Sequence, residues 1–189
     1  HAFYLPVSRK VIDLKIYLHV AENLRRHWKI CRDTTYRNHD KEHTLLQIES
    51  RMEDAKKYIY PQRQFADIVL EYFTDSEFEL GDSKARPLVH LKVLMNANIN
   101  IDPILRFFAD HQIEYQHDYD EDLHNQYLIL QKEADFSELL MASDEMIVNI
   151  DELVGKDIAW ETGFRGLVQL IIAQNLSMLF YDRNTTNAT

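Results

Sequence analysis

The chain has 189 residues, of which 46% are apolar and 28% charged, and this suits one globular domain or one domain with an appendage. Its formal net charge of −10 at pH 7 argues against nucleic acid as a partner, because neutralising phosphates requires a basic face. The single cysteine excludes an internal disulfide and a cysteine-based zinc cluster. No apolar run reaches membrane-spanning length, so we expect no membrane partner either.

The first part of the chain is predicted to alternate strands and helices. Residues 11–20 (VIDLKIYLHV) alternate in polarity, which predicts a strand with an apolar face at Leu14, Ile16, Leu18 and Val20. Residues 22–33 and 42–58 have apolar side chains at helical spacing and predict two helices. Pro61 closes the second helix, and residues 65–72 predict another strand.

The remainder is predicted to hold several strands, short helices and one long helix. In chain order we expect a loop at 75–87, a strand at 88–95, a helix starting at Asp102-Pro103, strands at 112–119 and 125–131, a short helix at 136–141, a strand at 145–150 and an amphipathic helix at 164–181. This order favours an α/β fold, with α+β as the alternative. Loop signals predict a division after residue 74, giving segments 1–74 and 75–189.

A group of charged residues around the first predicted helix is the main candidate site. Arg32 and Asp33 end that helix, Arg37 follows, and Arg51 lies in the next helix. A guanidinium group can donate two parallel hydrogen bonds to a phosphate group and stays charged, and a neighbouring carboxylate can hold Mg²⁺. These residues could therefore converge on a phosphate chain. The alternative is that the arginines and Asp33 form ordinary solvated pairs.

Two segments carry a family resemblance. The first is Trp28-Lys29-Ile30-Cys31-Arg32-Asp33 with Arg37, and the second is the run from Tyr58 to Asp67 (YIYPQRQFAD). Both resemble the phosphoribulokinase/uridine kinase family of P-loop kinases, in the lid region of its phosphoribulokinase branch. The resemblance implies that Asp33 is a catalytic and metal-associated carboxylate. It also implies that Arg32 and Arg37, and Arg51 in the following lid helix, contact phosphate or nucleotide.

The resemblance extends to residues with a structural alternative. His1 resembles the histidine that follows the family's catalytic glutamate, but a histidine at this position is also typical of a tag remnant. Gln62 and Asp67 lie in the second segment and could reach substrate, although Asp67 could simply open the strand. Thr162-Gly163-Phe164 and residues 169–172 are similar to a C-terminal helix of the family, where we expect packing and no chemistry.

The resemblance implies an ATP- and Mg²⁺-dependent kinase of the Calvin cycle that converts ribulose 5-phosphate to ribulose 1,5-bisphosphate. It implies a P-loop kinase-like mixed sheet with lid helices in residues 1–74, and a strand-rich extension ending in a long helix in residues 75–189. No GxxxxGK[ST] phosphate loop occurs in the chain. We therefore expect the chain to be the C-terminal part of such a kinase and to be inactive alone. The resemblance also implies a homo-oligomer (a dimer) that is cytoplasmic or, in a plant, stromal.

Three alternatives stay open at this point. A uridine kinase-like enzyme has a similar lid, although the long C-terminal region favours the phosphoribulokinase branch. A non-catalytic module could assemble or bind a partner through an open strand edge near residues 88–95. The run from Arg37 to His43 is also seen in some helical ribonucleases, and this is the most remote of the three.

Overall fold

The computed structural model describes residues 3–147, 149–154 and 158–186. The chain divides into two compact units, residues 1–94 and 95–189. The elements of the first unit are α1 (Pro6–Val11), β1 (Ile16–Val20), α2 (Glu22–Tyr36), α3 (Lys41–Ser50), α4 (Met52–Asp54), a π-helical turn (Ala55–Ile59), a 3-10 helix (Tyr60–Phe65), β2 (Ile68–Phe73) and most of β3 (His90–Asn96). The predicted division after residue 74 falls inside this first unit and stays a prediction.

The second unit begins with the end of β3. It continues with α5 (Asp102–Asp110), β4 (Tyr115–Tyr119), β5 (Asn125–Leu130), α6 (Ser137–Met141), α7 (Ser143–Met146), α8 (Ile150–Val154) and α9 (Gly163–Thr186). Its core side chains include Ile104, Phe108, Leu128, Leu130, Leu167, Leu170 and Ile171, all fully buried. Among the described residues, no helix is long and apolar enough to span a membrane.

Five strands lie in one mixed sheet with the order β1-β2-β3-β5-β4. β1 and β2 are parallel, with Tyr17 opposite Val69, and β4 and β5 are antiparallel, with His117 opposite Leu128. A parallel pair requires a crossover connection, and the helices between residues 22 and 65 supply it. The α/β fold class predicted from the sequence is confirmed.

The loop before β3 packs on α2. Residues 75–87 contain no helix or strand, as predicted. At its centre Gly81 has a φ of +84°, and a Cβ atom at this position would lie 2.6 Å from Cγ2 of Ile30. The Gly81 N–H donates to Nδ1 of His27 at 3.3 Å, and Phe78 makes an edge-to-face contact with the His27 ring. Only glycine combines this backbone with so close an approach to the helix.

The start of the chain differs from the sequence prediction. Pro6 begins a helix that ends at Val11, so the strand starts only at Ile16. The predicted apolar face is also wrong, because Leu18 is 62% exposed while Tyr17 is 8% exposed. The Tyr17 side is covered by the 3-10 helix, where Tyr60 contacts the neighbouring His19 ring. The packing of a distant segment therefore decides which side of this strand is buried.

Two further predictions need correction. The strand expected at 145–150 is wrong in its described part, because Glu145 and Met146 end α7 and Ile150 begins α8, while residue 148 lies outside the described residues. Acidic residues in the first turn of both short helices favour helix there. The open strand edge at 88–95 that would favour the non-catalytic module is also not found, because β3 lies between β2 and β5 in the order of the described strands.

Candidate functional site

Asp33 occupies a buried position in α2 where an apolar side chain would be expected. The buried residues of this helix are Leu24, His27, Ile30 and Asp33, which follow one another at intervals of three on one face. The Asp33 side chain is 1% exposed. A carboxylate buried to this extent is tolerated only when it is paired and hydrogen-bonded.

Three cationic side chains meet the Asp33 carboxylate. Lys29 Nζ donates to Oδ2 at 2.7 Å, Arg32 Nε donates to Oδ1 at 2.9 Å, and Arg37 Nη1 lies 3.3 Å from Oδ1. Lys29 is largely buried, whereas Arg32 and Arg37 are 52% and 55% exposed. Three positive charges against one negative charge leave a cationic cluster on the surface of an acidic chain. We call Lys29, Arg32, Asp33 and Arg37 the Asp33 cluster.

The cluster keeps Asp33 ionised. The Arg32 guanidinium and the Lys29 ammonium hold the pKa of the Asp33 carboxyl far below its usual range, and they outweigh the burial that would raise it. A carboxylate with so low a pKa is a poor proton acceptor at neutral pH. The geometry therefore suits the holding of cationic groups in place rather than the removal of a proton.

Asp33 also anchors the turn that follows its helix. The backbone oxygen of Asp33 accepts a hydrogen bond from the His39 N–H at 2.9 Å. Asn38, between them, has a φ of +53°, a conformation that asparagine tolerates better than most residues. The Asp40 side chain then caps α3 by accepting from the His43 N–H at 3.1 Å. One residue thus fixes both the charged cluster and the end of α2.

The other predicted site residues do not join the cluster. Arg51 is exposed at the junction of α3 and α4, and among the contacts of the described residues none links it to Asp33. Gln62 is buried, its Oε1 accepting from the Phe3 N–H and its amide group donating to the Tyr58 oxygen. These contacts favour a structural role for Gln62. His1 lies outside the described residues.

Asp67, directly before β2, is held by hydrogen bonds to Lys15. Its Oδ2 accepts from both the backbone N–H and the Nζ of Lys15, each at 2.7 Å. The Asp67 N–H in turn donates to the Lys15 oxygen at 2.7 Å. These bonds tie the segment before β1 to the start of β2, as expected for the alternative in which Asp67 opens the strand.

Sequence reasoning assigned no role to Lys29, although it lies in the motif. The signal was available, because residues four apart on a helix face each other and Lys29 precedes Asp33 by four.

The remaining histidine candidates do not form a site. His39 and His43 meet edge to face, and no group of three or more His, Cys, Asp or Glu side chains suited to a metal occurs in residues 3–147, 149–154 or 158–186.

The fold and the cluster define an α/β protein with a cationic surface site built on one helix, a type of site that attracts anions. Residues 1–79 match the phosphoribulokinase/uridine kinase family. This match covers less than half of the chain, and it confirms the resemblance predicted from the residues around Asp33 and from the run beginning at Tyr58.

Individual proteins similar to this chain are named phosphoribulokinases. The chain is 36% identical over 84 residues to a phosphoribulokinase of Synechocystis, covering 44% of this chain and 25% of the relative. It is 41% identical over 71 residues to a chloroplastic phosphoribulokinase of Spinacia oleracea, covering 38% and 18%. The matched segments thus span about a quarter or less of these relatives. A solved phosphoribulokinase from Rhodobacter spheroides aligns with a TM-score of 0.46 and 15% identity, covering 89% of this chain and 52% of that chain.

Proposed function

We propose that the chain is part of an ATP-dependent kinase of the phosphoribulokinase type, and that the Asp33 cluster binds the phosphate groups of its nucleotide. The observation that carries this proposal is the convergence of Lys29, Arg32 and Arg37 on one buried carboxylate. The kinase class is supported by the family of residues 1–79 and by the names of the relatives.

In this proposal Asp33 is a positioning residue. Its two oxygens hold the side chains of Arg32 and Arg37 in place, while more than half of each arginine side chain is exposed. Each guanidinium contacts Asp33 through one nitrogen, so its other N–H groups can reach phosphate oxygens. Preorganised positive charge of this kind stabilises the negative charge that a transferring phosphoryl group carries.

The Asp33 cluster is better suited to binding ATP than to binding Mg²⁺ directly through the Asp33 carboxylate. Both oxygens of Asp33 are engaged by cations, which would repel a second positive ion at the same carboxylate. A triphosphate, in contrast, brings the negative charge that the cluster lacks. ATP therefore stands in the proposal as a ligand of Arg32 and Arg37. A kinase of this class uses Mg²⁺ to neutralise phosphate charge. The proposal does not place this Mg²⁺ on Asp33.

The proposed acceptor is ribulose 5-phosphate, phosphorylated to ribulose 1,5-bisphosphate as in the Calvin cycle. Uridine remains the alternative acceptor, because the family model that residues 1–79 match also covers uridine kinases. A cytoplasmic or stromal location and assembly into a homodimer belong to the same proposal. Light scattering after size-exclusion chromatography tests the dimer, for which the expected mass is twice the 22.5 kDa of one chain. A mass of one chain would contradict it.

The first experiment measures ATP binding to the 189-residue chain through its tryptophan fluorescence, to which Trp160 and Trp28 both contribute. Trp28 adjoins Lys29 and is 41% exposed. Replacing Arg37 by Gln removes a charge-assisted hydrogen bond, so we expect the dissociation constant to rise by about tenfold. Asp33 and the rest of α2 stay in place in this variant.

Arg165 offers a matched control for Arg37. Both are exposed arginines paired with the carboxylate four residues earlier in the sequence, at 3.2 Å for Arg165–Glu161 and 3.3 Å for Arg37–Asp33. Arg165→Gln should leave ATP binding unchanged. An equal loss in both variants, or no saturable binding in the unmodified chain, would argue against a nucleotide site at the Asp33 cluster.

A further inference from the structure

A cavity of about 440 Å³ lies in the second unit and shares no residue with the Asp33 cluster. Its volume falls within the range of small-molecule sites, roughly 300–1,000 Å³. Ile99, Met146, Met178 and Tyr181 contribute to its lining. Most of this lining is apolar, and none of the described residues that line the cavity carries a formal charge.

One face of α9 contributes the polar residues Gln174 and Ser177 to the cavity, and Asn100 is a further polar residue of its lining. Gln174, Ser177, Met178 and Tyr181 follow at the i, i+3, i+4 and i+7 positions of a helix, so they form one stripe. The Ser177 hydroxyl donates to Oδ1 of Asn149 at 2.6 Å, which commits its hydrogen. Gln174 carries a buried acceptor atom without a hydrogen-bond partner among the described residues.

The Gln174 side chain is 7% exposed and only half of its amide is satisfied. Its Nε2 donates to the backbone oxygen of Asn100 at 3.3 Å, and this acceptor fixes which end of the amide points there. The other end, Oε1, is buried without a hydrogen-bond partner among the described residues. A buried acceptor left in this state costs its full desolvation penalty and calls for a donor.

We propose that this cavity binds a small, uncharged, mainly apolar molecule that carries one N–H or O–H donor, and that this donor bonds to Oε1 of Gln174. The mainly apolar lining disfavours a charged or phosphorylated ligand, because none of the described lining residues carries a charge to pair with it. Methionine side chains adapt to the shape of an apolar ligand. The site is separate from the proposed nucleotide site, so each can fail without the other.

Indole is a suitable probe, because it has an apolar ring system and one N–H donor. Indene has nearly the same shape and lacks the donor. The chain has five methionines, and carbon-13 labelling of their methyl groups gives a readout at defined positions. Indole should shift the Met146 and Met178 resonances saturably. Met52, in the first unit, and Met95, which is fully buried, serve as internal controls that should not move.

The decisive comparison is between indole and indene. A neutral hydrogen bond to Oε1 should make indole bind roughly three- to tenfold more tightly than indene. Gln174→Leu removes the acceptor, and in that variant the two probes should bind equally. Equal affinities in the unmodified chain would overturn the role of Gln174. Resonances of Met146 and Met178 that stay unmoved at saturating indole would overturn the site, as expected if the cavity holds only water.

Discussion

At the scale of single residues, the placement of Asp33 could be predicted only in part. The motif identifies Arg32, Asp33 and Arg37 together, and the structure brings these three together with Lys29. Arg51 was included because of its family position, yet at the junction of α3 and α4 no contact of the described residues links it to Asp33. Helical spacing is a local property and can be read from sequence, whereas the approach of a second helix depends on tertiary packing.

Replacing Asp33 by Asn should destabilise the chain, because the three cations lose a charged acceptor in a buried position. We expect a decrease in the free energy of unfolding of about 1.5–3 kcal/mol at pH 7, measured by urea denaturation. Asp54→Asn, at an exposed aspartate of α4, should change the free energy by less than about 0.5 kcal/mol.

The same variant predicts a pH dependence. Because the folded-state pKa of Asp33 is depressed, its contribution is present above the unfolded pKa and is lost as pH falls towards the folded pKa. The difference between the unmodified chain and Asp33→Asn should therefore stay constant from pH 7 to about pH 4, and narrow below about pH 4. A difference that widened on acidification would contradict the pairing.

His111, at the end of α5, should titrate above its ordinary pKa. Its Nδ1 bonds the Phe107 oxygen at 3.0 Å, which raises the pKa most, and its Nε2 lies 3.1 Å from Oε2 of Glu138, which raises it further. Stability from this pairing is complete below the unfolded pKa of about 6.5 and is lost as pH rises through the folded pKa.

Titration of the His111 ring resonances by NMR checks this prediction. In Glu138→Gln the measured pKa should fall part of the way to the ordinary value, because the bond to Phe107 remains. Glu145→Gln, at an exposed glutamate of α7, should leave the pKa unchanged. A pKa in the unmodified chain at or below the ordinary value would refute the pairing.

At the scale of elements, the sequence identified most helices and strands but not their exposed faces. The sequence predicted α2 and α9 from helical spacing, α5 from the Asp102-Pro103 start signal, and β2, β4 and β5 from strand-like runs. For β1 both sides carry large side chains, Tyr17 on one and Leu18 on the other. The 3-10 helix covers the Tyr17 side, and no local pattern in residues 11–20 records where that segment packs.

Gly81→Ala tests the contact between the 75–87 loop and α2. The new Cβ would meet Ile30 Cγ2 at 2.6 Å, and the φ of +84° disfavours any residue with a side chain. We expect a loss of about 2 kcal/mol in the free energy of unfolding. Ser83→Ala, at an exposed position of the same loop, should have little effect. A neutral Gly81→Ala would mean that the loop does not pack on the helix as described.

At the scale of the whole molecule, the match to the family model lies within the first compact unit. Residues 1–79 account for the match, whereas the second unit begins at residue 95. The sequence predicted the α/β class and the long helix of the second unit. It did not indicate the cavity there, because a cavity depends on how separate elements pack.

The 189-residue chain is expected to show no transfer of phosphate from ATP to ribulose 5-phosphate. It lacks the GxxxxGK[ST] loop whose backbone N–H groups cradle the nucleotide in P-loop enzymes, so binding at the Asp33 cluster would not suffice for catalysis. Product formation is measured with the purified chain, beside an intact phosphoribulokinase as positive control. Turnover that is abolished in Asp33→Asn would overturn this expectation.

The Asp33 cluster is built entirely from residues 29–37, and this has a consequence for protein engineering. The three ion pairs of Asp33 all come from one helix and the first residue beyond it. The arrangement is therefore portable. Another amphipathic helix with an aspartate at the end of its apolar stripe, a lysine four residues before it, and arginines one residue before and four residues after it should acquire the same cationic surface.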